Sequence, residues 1–404
     1  MVKKPSWCSP WILVLLFGLV SLFADVTYEG GRSIFPSFLT SVLGANIVLL
    51  GFGVGFAEFL GFLIRLASGF LTDITRRYWI AVFIGYSIVY AIPFIALAWN
   101  PYVALLLFTI ERMGKAIRSP ARDALLSSIA RTGIGRGMIF GVHELMDQLG
   151  AVFGPGIAGL VLFLYGDYRL AYMVLGVALT LAIISLFFAR TCWYGLGLHV
   201  PETTSSSEEK LGISGRGYKA KVSLSLLVFF VFVFTAVISL VPYQIMLYTA
   251  QNIVAEWVVP IIYLVAQGVD AGSALIAGYS YDKLGVLSLA PPVILSPLTG
   301  FFLYTTLTTS SEWSLIAMAI VYGVVLGYHE SSFRAALGDL APREYRATFY
   351  GIYYTVYGLG LAVIGGVSSL LYSTPLMIVL ATSVSAVISL LLLSFLSRIG
   401  GAKR

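Results

Sequence analysis

Long apolar runs separated by short polar turns fill almost the whole chain. Runs of about 20 residues cross a bilayer as helices, and their spacing predicts six in the first half, near 11–39, 47–71, 78–98, 102–117, 138–164 and 168–188. Six more follow near 222–248, 257–279, 287–307, 313–337, 347–371 and 374–396. The fourth run is short before its charges begin, so its helix must carry charged side chains into the protein, where a polar cavity receives them. The one long polar stretch, 191–221, is rich in Ser and Glu and reads as a linker with nothing to fold around.

The two halves repeat. Gly69-Phe70-Leu71-Thr72-Asp73 returns 209 residues later as Gly278-Tyr279-Ser280-Tyr281-Asp282. Arg136, Gly141 and Gly150 return as Arg346, Gly351 and Gly360, and Arg122-Asp123-Ala124-Leu125 as Arg334-Ala335-Ala336-Leu337. The expected fold is an all-α membrane protein of twelve transmembrane helices in two pseudo-symmetric six-helix bundles, 1–190 and 222–404. Two similar membrane halves in one polypeptide point to a device that moves one against the other around a central site, as in secondary transporters.

Composition changes the picture little: 59% hydrophobic and 11% charged residues, with a mean hydropathy of +0.92, exclude a soluble globule. The first run, after Lys3 and Lys4, is expected to be a retained helix and not a cleaved signal. Lys and Arg crowd the turns on one side of the predicted membrane, including Arg76, Arg77, Arg118, Arg122, Arg131, Arg136, Lys283 and Arg346, whereas the other side has only Arg169. That asymmetry predicts a multi-pass protein of the plasma membrane with both termini in the cytoplasm. The pI near 9.1 then reports topology and no nucleic-acid partner. Cys8 and Cys192 fall on the cytoplasmic side and are expected to be reduced, with no metal-thiolate site. Only three Asn and four Gln hint at a heat-adapted source.

Gly69 permits close helix approach, and Asp73 can meet Arg76 or Arg77 or a neighbouring helix N-terminus. Together with their repeats Gly278 and Asp282 they form a candidate gate. The pattern Gly-x-Leu-x-Asp followed by Arg76-Arg77 resembles the loop signature of the major facilitator superfamily, with Ile74 and Arg76 where that signature carries a basic residue and a Gly. Arg112-Met113-Gly114-Lys115-x-x-Arg118-x-Pro120-x-Arg122-Asp123-Ala124-Leu125 resembles a signature after the fourth helix in a prokaryotic branch of that superfamily. Gly141-x8-Gly150-x3-Gly154-Pro155-x2-Ala158-Gly159 is similar to its antiporter motif, which implies that Gly154 and Pro155 bend the fifth helix at the domain interface. The resemblance implies alternating access; it says almost nothing of substrate.

Ionisable groups inside spans are costly and usually face a cavity. Here they concentrate in the first half: Asp25, Glu29 and Arg32 on one helix face, Glu58 and Arg65 two turns apart, then Glu111, Arg112, Lys115, His143, Glu144 and Asp147. Arg32 with the acids Asp25 and Glu29 of its own helix face, and Glu58 with Arg65, are candidate salt bridges. In the second half Gln267, Asp270, His329 and Glu330 lie within spans, and Tyr357 stands where the repeat would place Asp147. Asp25 and Asp147, with Arg112 as electrostatic trigger and Glu29 and Glu144 nearby, are the expected proton-coupling groups, since carboxyls in a cavity can take up and release protons as it opens to either side. Glu58, Glu111, His143, Gln267, Asp270, Tyr353 and Tyr357 are candidate substrate contacts, with Tyr354 beside them.

Eight acids against four bases within the spans favour a proton-coupled exporter of a small cationic or amphipathic compound. A divalent metal exporter resembling ferroportin-type members, or a symporter of organic anions held by Arg32, Arg65 and Arg112, are the alternatives. No nucleophile motif, phosphate loop or Cys/His cluster supports an enzyme or receptor. The expected partners are a small substrate, protons and the bilayer; no cofactor or resident metal is expected, and the chain is read as a monomer.

Overall fold

The computed structural model describes residues 5–198, 223–341 and 346–400, without the side chains of Asp73, Arg131, Arg136, Arg346, Ala347 and Thr348. Its described elements are helical. In the first half they are α1 (Pro10–Ser37), α2 (Ile47–Thr75), α3 (Tyr78–Ile88), α4 (Ala91–Phe94), α5 (Pro101–Ile129), α6 (Arg136–Tyr165) and α7 (Tyr168–Gly195). The second half has α8 (Leu224–Ile238), α9 (Tyr243–Ala250), α10 (Val259–Leu284), α11 (Ala290–Leu295), α12 (Pro297–Thr309), α13 (Glu312–Glu330), α14 (Ser332–Leu340), α15 (Arg346–Leu370) and α16 (Pro375–Gly400).

Ten described segments are long and apolar enough to cross a membrane, and the 54-residue one, Glu256–Thr309, contains both α10 and α11–α12, with Gly285 between them. The 29-residue α5 completes twelve spans; its charges run to Asp123, so it extends well past the predicted end at 117. Proline breaks some spans: Pro242 separates α8 from α9 within the seventh. Local signals start the others. Asn46 and Asn100 accept from the backbone N–H of Leu49 and Val103 at 2.8 and 2.9 Å, and Ser9 and Asp167 cap α1 and α7.

Within the first half α1 packs on α6 and α7, and α2 and α3 pack on α5; within the second α10 packs on α13, and α8 on α15 and α16. The halves meet along two seams, α2 with α15 and α6 with α10. Each seam pairs the second span of one half with the fifth of the other, as a two-fold exchange requires.

The seams differ in length. Along α2–α15 an added methyl at Gly51 would lie 2.4 Å from the Gly365 carbonyl oxygen, and one at Gly351 would strike the Leu66 side chain. Along α6–α10, Gly159 lies against the Trp257 carbonyl and Pro260, and Gly156 against Leu264; further along, a methyl at Gly141, Gly268 or Gly272 would meet nothing within 4 Å. Both seams are therefore closed at the end away from the termini, and the α6–α10 seam alone opens toward the terminus-bearing end. At the closed end, Gln251 exchanges hydrogen bonds with Thr40, which lies in a π-helical turn (Phe38–Val42) continuing α1.

One expectation is overturned. Cys8 and Cys192 form a disulfide, with Cα atoms 5.4 Å apart. The packing of α1 on α7 brings the start of one helix to the end of the other across 184 residues of sequence, a neighbourhood that no spacing signals. The helix α7 also continues to Gly195, through the first residues expected in the linker; its remainder from 199 to 221 lies outside the described residues.

Candidate functional site

Between the bundles lies a cavity of about 300 Å³, lined from α1, α2, α5 and α6 on one side and α9, α10, α13 and α15 on the other. That size suits a small molecule. Seven acidic and seven basic side chains line it, so the surplus of carboxylate counted along the sequence is gone. Arg118 and Arg122, expected in a loop, account for part of the difference, because α5 carries them along the wall.

A chain of charges ties three helices of the first half together. Glu29 Oε1 lies 3.3 Å from Arg32 Nη1 on α1, Arg32 also pairs with Glu58 of α2, and Glu58 accepts from Arg112 Nη1 of α5 at 3.3 Å. Arg112 Nη2 then reaches Glu111 Oε2 at 2.5 Å. The expected Glu58–Arg65 bridge does not form. Seven helical residues separate the two by about 10 Å along the axis, beyond easy reach, whereas neighbouring helices bring Arg32 and Arg112 to Glu58 directly. Arg65 instead lies 4.9 Å over the Tyr354 ring of α15 and 5.7 Å over Phe62. Two contacts link the charge chain to the second half: Tyr263 donates to Glu29 Oε2 at 2.6 Å, and the Arg32 guanidinium sits 4.4 Å over Tyr243.

A second cluster lies one turn earlier on α1. Asp25 is 2% exposed; its Oδ2 accepts from Tyr28 at 3.0 Å, and its Oδ1 lies 3.9 Å from Arg118 Nη2. Asp147 of α6 lines the cavity beside it and accepts from Ser21 of α1. Gly150 makes the approach possible, since a methyl there would lie 2.5 Å from the Leu22 carbonyl oxygen and 2.7 Å from Asp25 Cβ. Lys115 donates to Tyr28 at 2.5 Å, and His143 Nε2 stands 3.5 Å from Ser21 Oγ, off the cavity surface. Arg112 joins Glu58 and Glu111; Arg118 occupies the place beside Asp25 that was expected for it.

The opposite wall is aromatic. Tyr357 lies 3.3 Å from His329 Nδ1, Tyr353 donates to the His329 carbonyl at 3.3 Å, and Tyr322 and Gln267 line the same side. Asp270 is buried behind this wall, in the contact of α10 with α13. Glu144 of α6 and Glu330 of α13 both line the cavity, one on each side.

Of the residues read as a candidate gate, Gly69 lies against Pro120 and Gly278 beside Ser331, while Asp282 is exposed. Arg76 and Arg77 form the turn from α2 into α3. The Asp73 side chain lies outside the description, as do those of Ala347 and Thr348. Gly154, read as an interface bend, packs inside the first bundle, where an added methyl would lie 2.5 Å from the Val26 carbonyl of α1. Its near neighbours Gly156 and Gly159 face α10. Sequence reasoning missed Ser21, Tyr28, Tyr243, Tyr263 and Tyr322. Tyr28 is one turn from Asp25 and could have been found from that spacing; the other tyrosines look like core aromatics until the cavity is seen.

The family model of the Major Facilitator Superfamily matches residues 17–365. An uncharacterized protein of Mycobacterium tuberculosis is 35% identical over 369 residues, covering 89% of this chain and 85% of that protein. An uncharacterized MFS-type transporter of Methanocaldococcus jannaschii is 29% identical over 401 residues, covering 95% and 94%. Among solved structures, a peptide transporter POT in complex with sulfate aligns with a TM-score of 0.76 at 16% identity, covering 99% of this chain and 96% of that one. The nucleoside transporter NupG aligns with a TM-score of 0.67 at 15% identity, covering 96% and 98%. At such identities these structures share the fold alone.

Proposed function

The chain belongs to the Major Facilitator Superfamily, and from that premise we propose a proton-coupled exporter of a small amphipathic compound, working by alternating access in the plasma membrane. The observation that carries this reading is that Asp25 and Asp147 line the same cavity wall, on helices that Gly150 brings into close contact. In the open form one of the two acids carries a proton; approach of substrate, or closure of the bundles, releases it. Arg118 stands ready to favour the ionised form. The two bundles, joined through 191–221, rock about the cavity, and the duplicated Asp73 and Asp282 turns latch the terminus-bearing end when it closes. Both termini then face the cytoplasm, and the chain acts as a monomer.

The preference for a cationic substrate loses its support, because Glu29, Glu58 and Glu111 already meet arginines. A metal exporter is supported less: among the described residues no three His, Cys, Asp or Glu side chains converge as ligands would. The test begins with a thermal-shift panel of organic cations, anions and divalent metals at two pH values. A ligand found there is loaded into proteoliposomes and its flux recorded with a pH-sensitive dye; transport that moves no protons overturns the coupling.

A further inference from the structure

We propose that the substrate carries an anionic group held by Arg65, next to a flat apolar body that lies against Tyr354 and Tyr357. The inference rests on the transporter reading and names the substrate class of its cavity. Of the other arginines in the wall, Arg32, Arg112, Arg118 and Arg122 each meet a carboxylate, and Arg334 donates to the Glu330 carbonyl. Among the described residues Arg65 meets no carboxylate, and its buried Nε has no hydrogen-bond partner. A guanidinium at membrane depth without a counter-charge is costly, and its planar fork matches a carboxylate, phosphate or sulfonate.

Its surroundings specify the rest of the ligand. Phe62 and Tyr354 stack with ring planes 3° apart and centroids 5.7 Å apart, and Tyr357 stands edge-on to Phe62 at 5.7 Å. Arg65 and Phe62 belong to α2, the two tyrosines to α15, so a molecule bound by both reports on the fit between the bundles. Cation–aromatic stacking alone holds Arg65 in place without satisfying its donors; an anion satisfies them.

Binding is measured at fixed pH, without a gradient, on the full-length protein in lipid nanodiscs, so the outcome is independent of proton coupling. The probes are 1-naphthoate, its neutral amide, 1-naphthylmethylammonium and butyrate. Naphthoate should raise the melting temperature, the amide and the ammonium should not, and butyrate should bind weakly. In Arg65→Gln the naphthoate affinity should fall roughly tenfold to a hundredfold, the loss of a charge-assisted hydrogen bond, with partial recovery in Arg65→Lys. Should Arg65→Gln fail to fold, Tyr354→Leu takes its place and should weaken naphthoate more than butyrate. Preference for the ammonium, no binding of naphthoate to the folded wild type, or full affinity in these variants overturns the proposal. Loss of proton coupling with naphthoate binding intact would strike the exporter reading alone.

Discussion

The two bundles wall one cavity with different chemistry. The first presents Asp25, Glu29, Arg32, Glu58, Arg112 and Asp147, most of them matched acid to base, whereas the second presents Tyr243, Tyr263, Tyr322, Tyr353 and Tyr357 with His329 and Gln267. Their backbones derive from one repeat, so the difference is one of side chains placed on equivalent scaffolds. Charges that bridge α1, α2 and α5 lock the first bundle internally. Aromatic faces instead offer contact area that slides and stacks with little directional penalty. The few polar links between the walls, Tyr263 with Glu29 and Arg32 over Tyr243, are where a change on one side is felt on the other.

The sharpest way to break this contrast is to neutralise the acid pair. Asp25→Asn and Asp147→Asn should each abolish transport driven by a pH gradient, while at least one retains substrate exchange without net proton movement. Tyr357→Phe, at the repeat-equivalent position of Asp147, should leave proton coupling unchanged. Proteoliposomes loaded with a pH dye give both readouts, and full pH-driven transport in both Asn variants would transfer the role to Glu29, Glu58 or Glu144.

Next in size is the charge chain. Glu58→Gln leaves Arg32 and Arg112 facing an uncharged amide in a buried site, and breaking a buried ion pair costs about 3–5 kcal/mol. Thermal unfolding in detergent should show the drop; a Glu58→Gln protein as stable as wild type would mean that water or substrate, and not Glu58, neutralises the arginines.

This network also marks how far the sequence can be read. Twelve spans, the repeat and the buried charges follow from hydropathy and spacing, because membrane helices must be apolar outside and their charges have nowhere to go but inward. Which charge meets which does not follow. Position on one helix pairs Arg65 with Glu58, yet the partners of Glu58 come from α1 and α5, and Arg118 enters the cavity only because α5 runs straight through its charged half. The Cys8–Cys192 bridge is hidden for the same reason: contacts between distant helices leave no period in the sequence.

A smaller effect tests the link between walls. Tyr263→Phe removes one hydrogen bond to the Glu29 carboxylate and leaves packing intact, so stability should fall by about 1.5–3 kcal/mol, the value of a hydrogen bond to a charged group. The fall should vanish when Tyr263→Phe is made in a Glu29→Ala background, as a double-mutant cycle reads it, if the two groups act only through each other. Equal losses in both backgrounds would show that the tyrosine stabilises its own bundle and carries no signal across.

The smallest prediction compares the two copies of one turn. Arg76 ends α2 with φ 54° and ψ 19°, the left-handed helical region, while its counterpart 209 residues later, Gly285, ends α10 with φ 55° and ψ −135°, a region that in practice only glycine enters. The backbone thus turns to positive φ at the same step of both repeats, but only the second has the residue that does so freely. A non-glycine side chain there costs about 1–2 kcal/mol. Glycine relieves that strain and gives back roughly 0.5–1 kcal/mol through its freer unfolded chain. Arg76→Gly should therefore stabilise the protein by about 0.5–1 kcal/mol, read as a small rise in melting temperature. An unchanged or lower value would mean that contacts of the Arg76 side chain outweigh the strain, and that this turn was kept basic because the gate uses its charge.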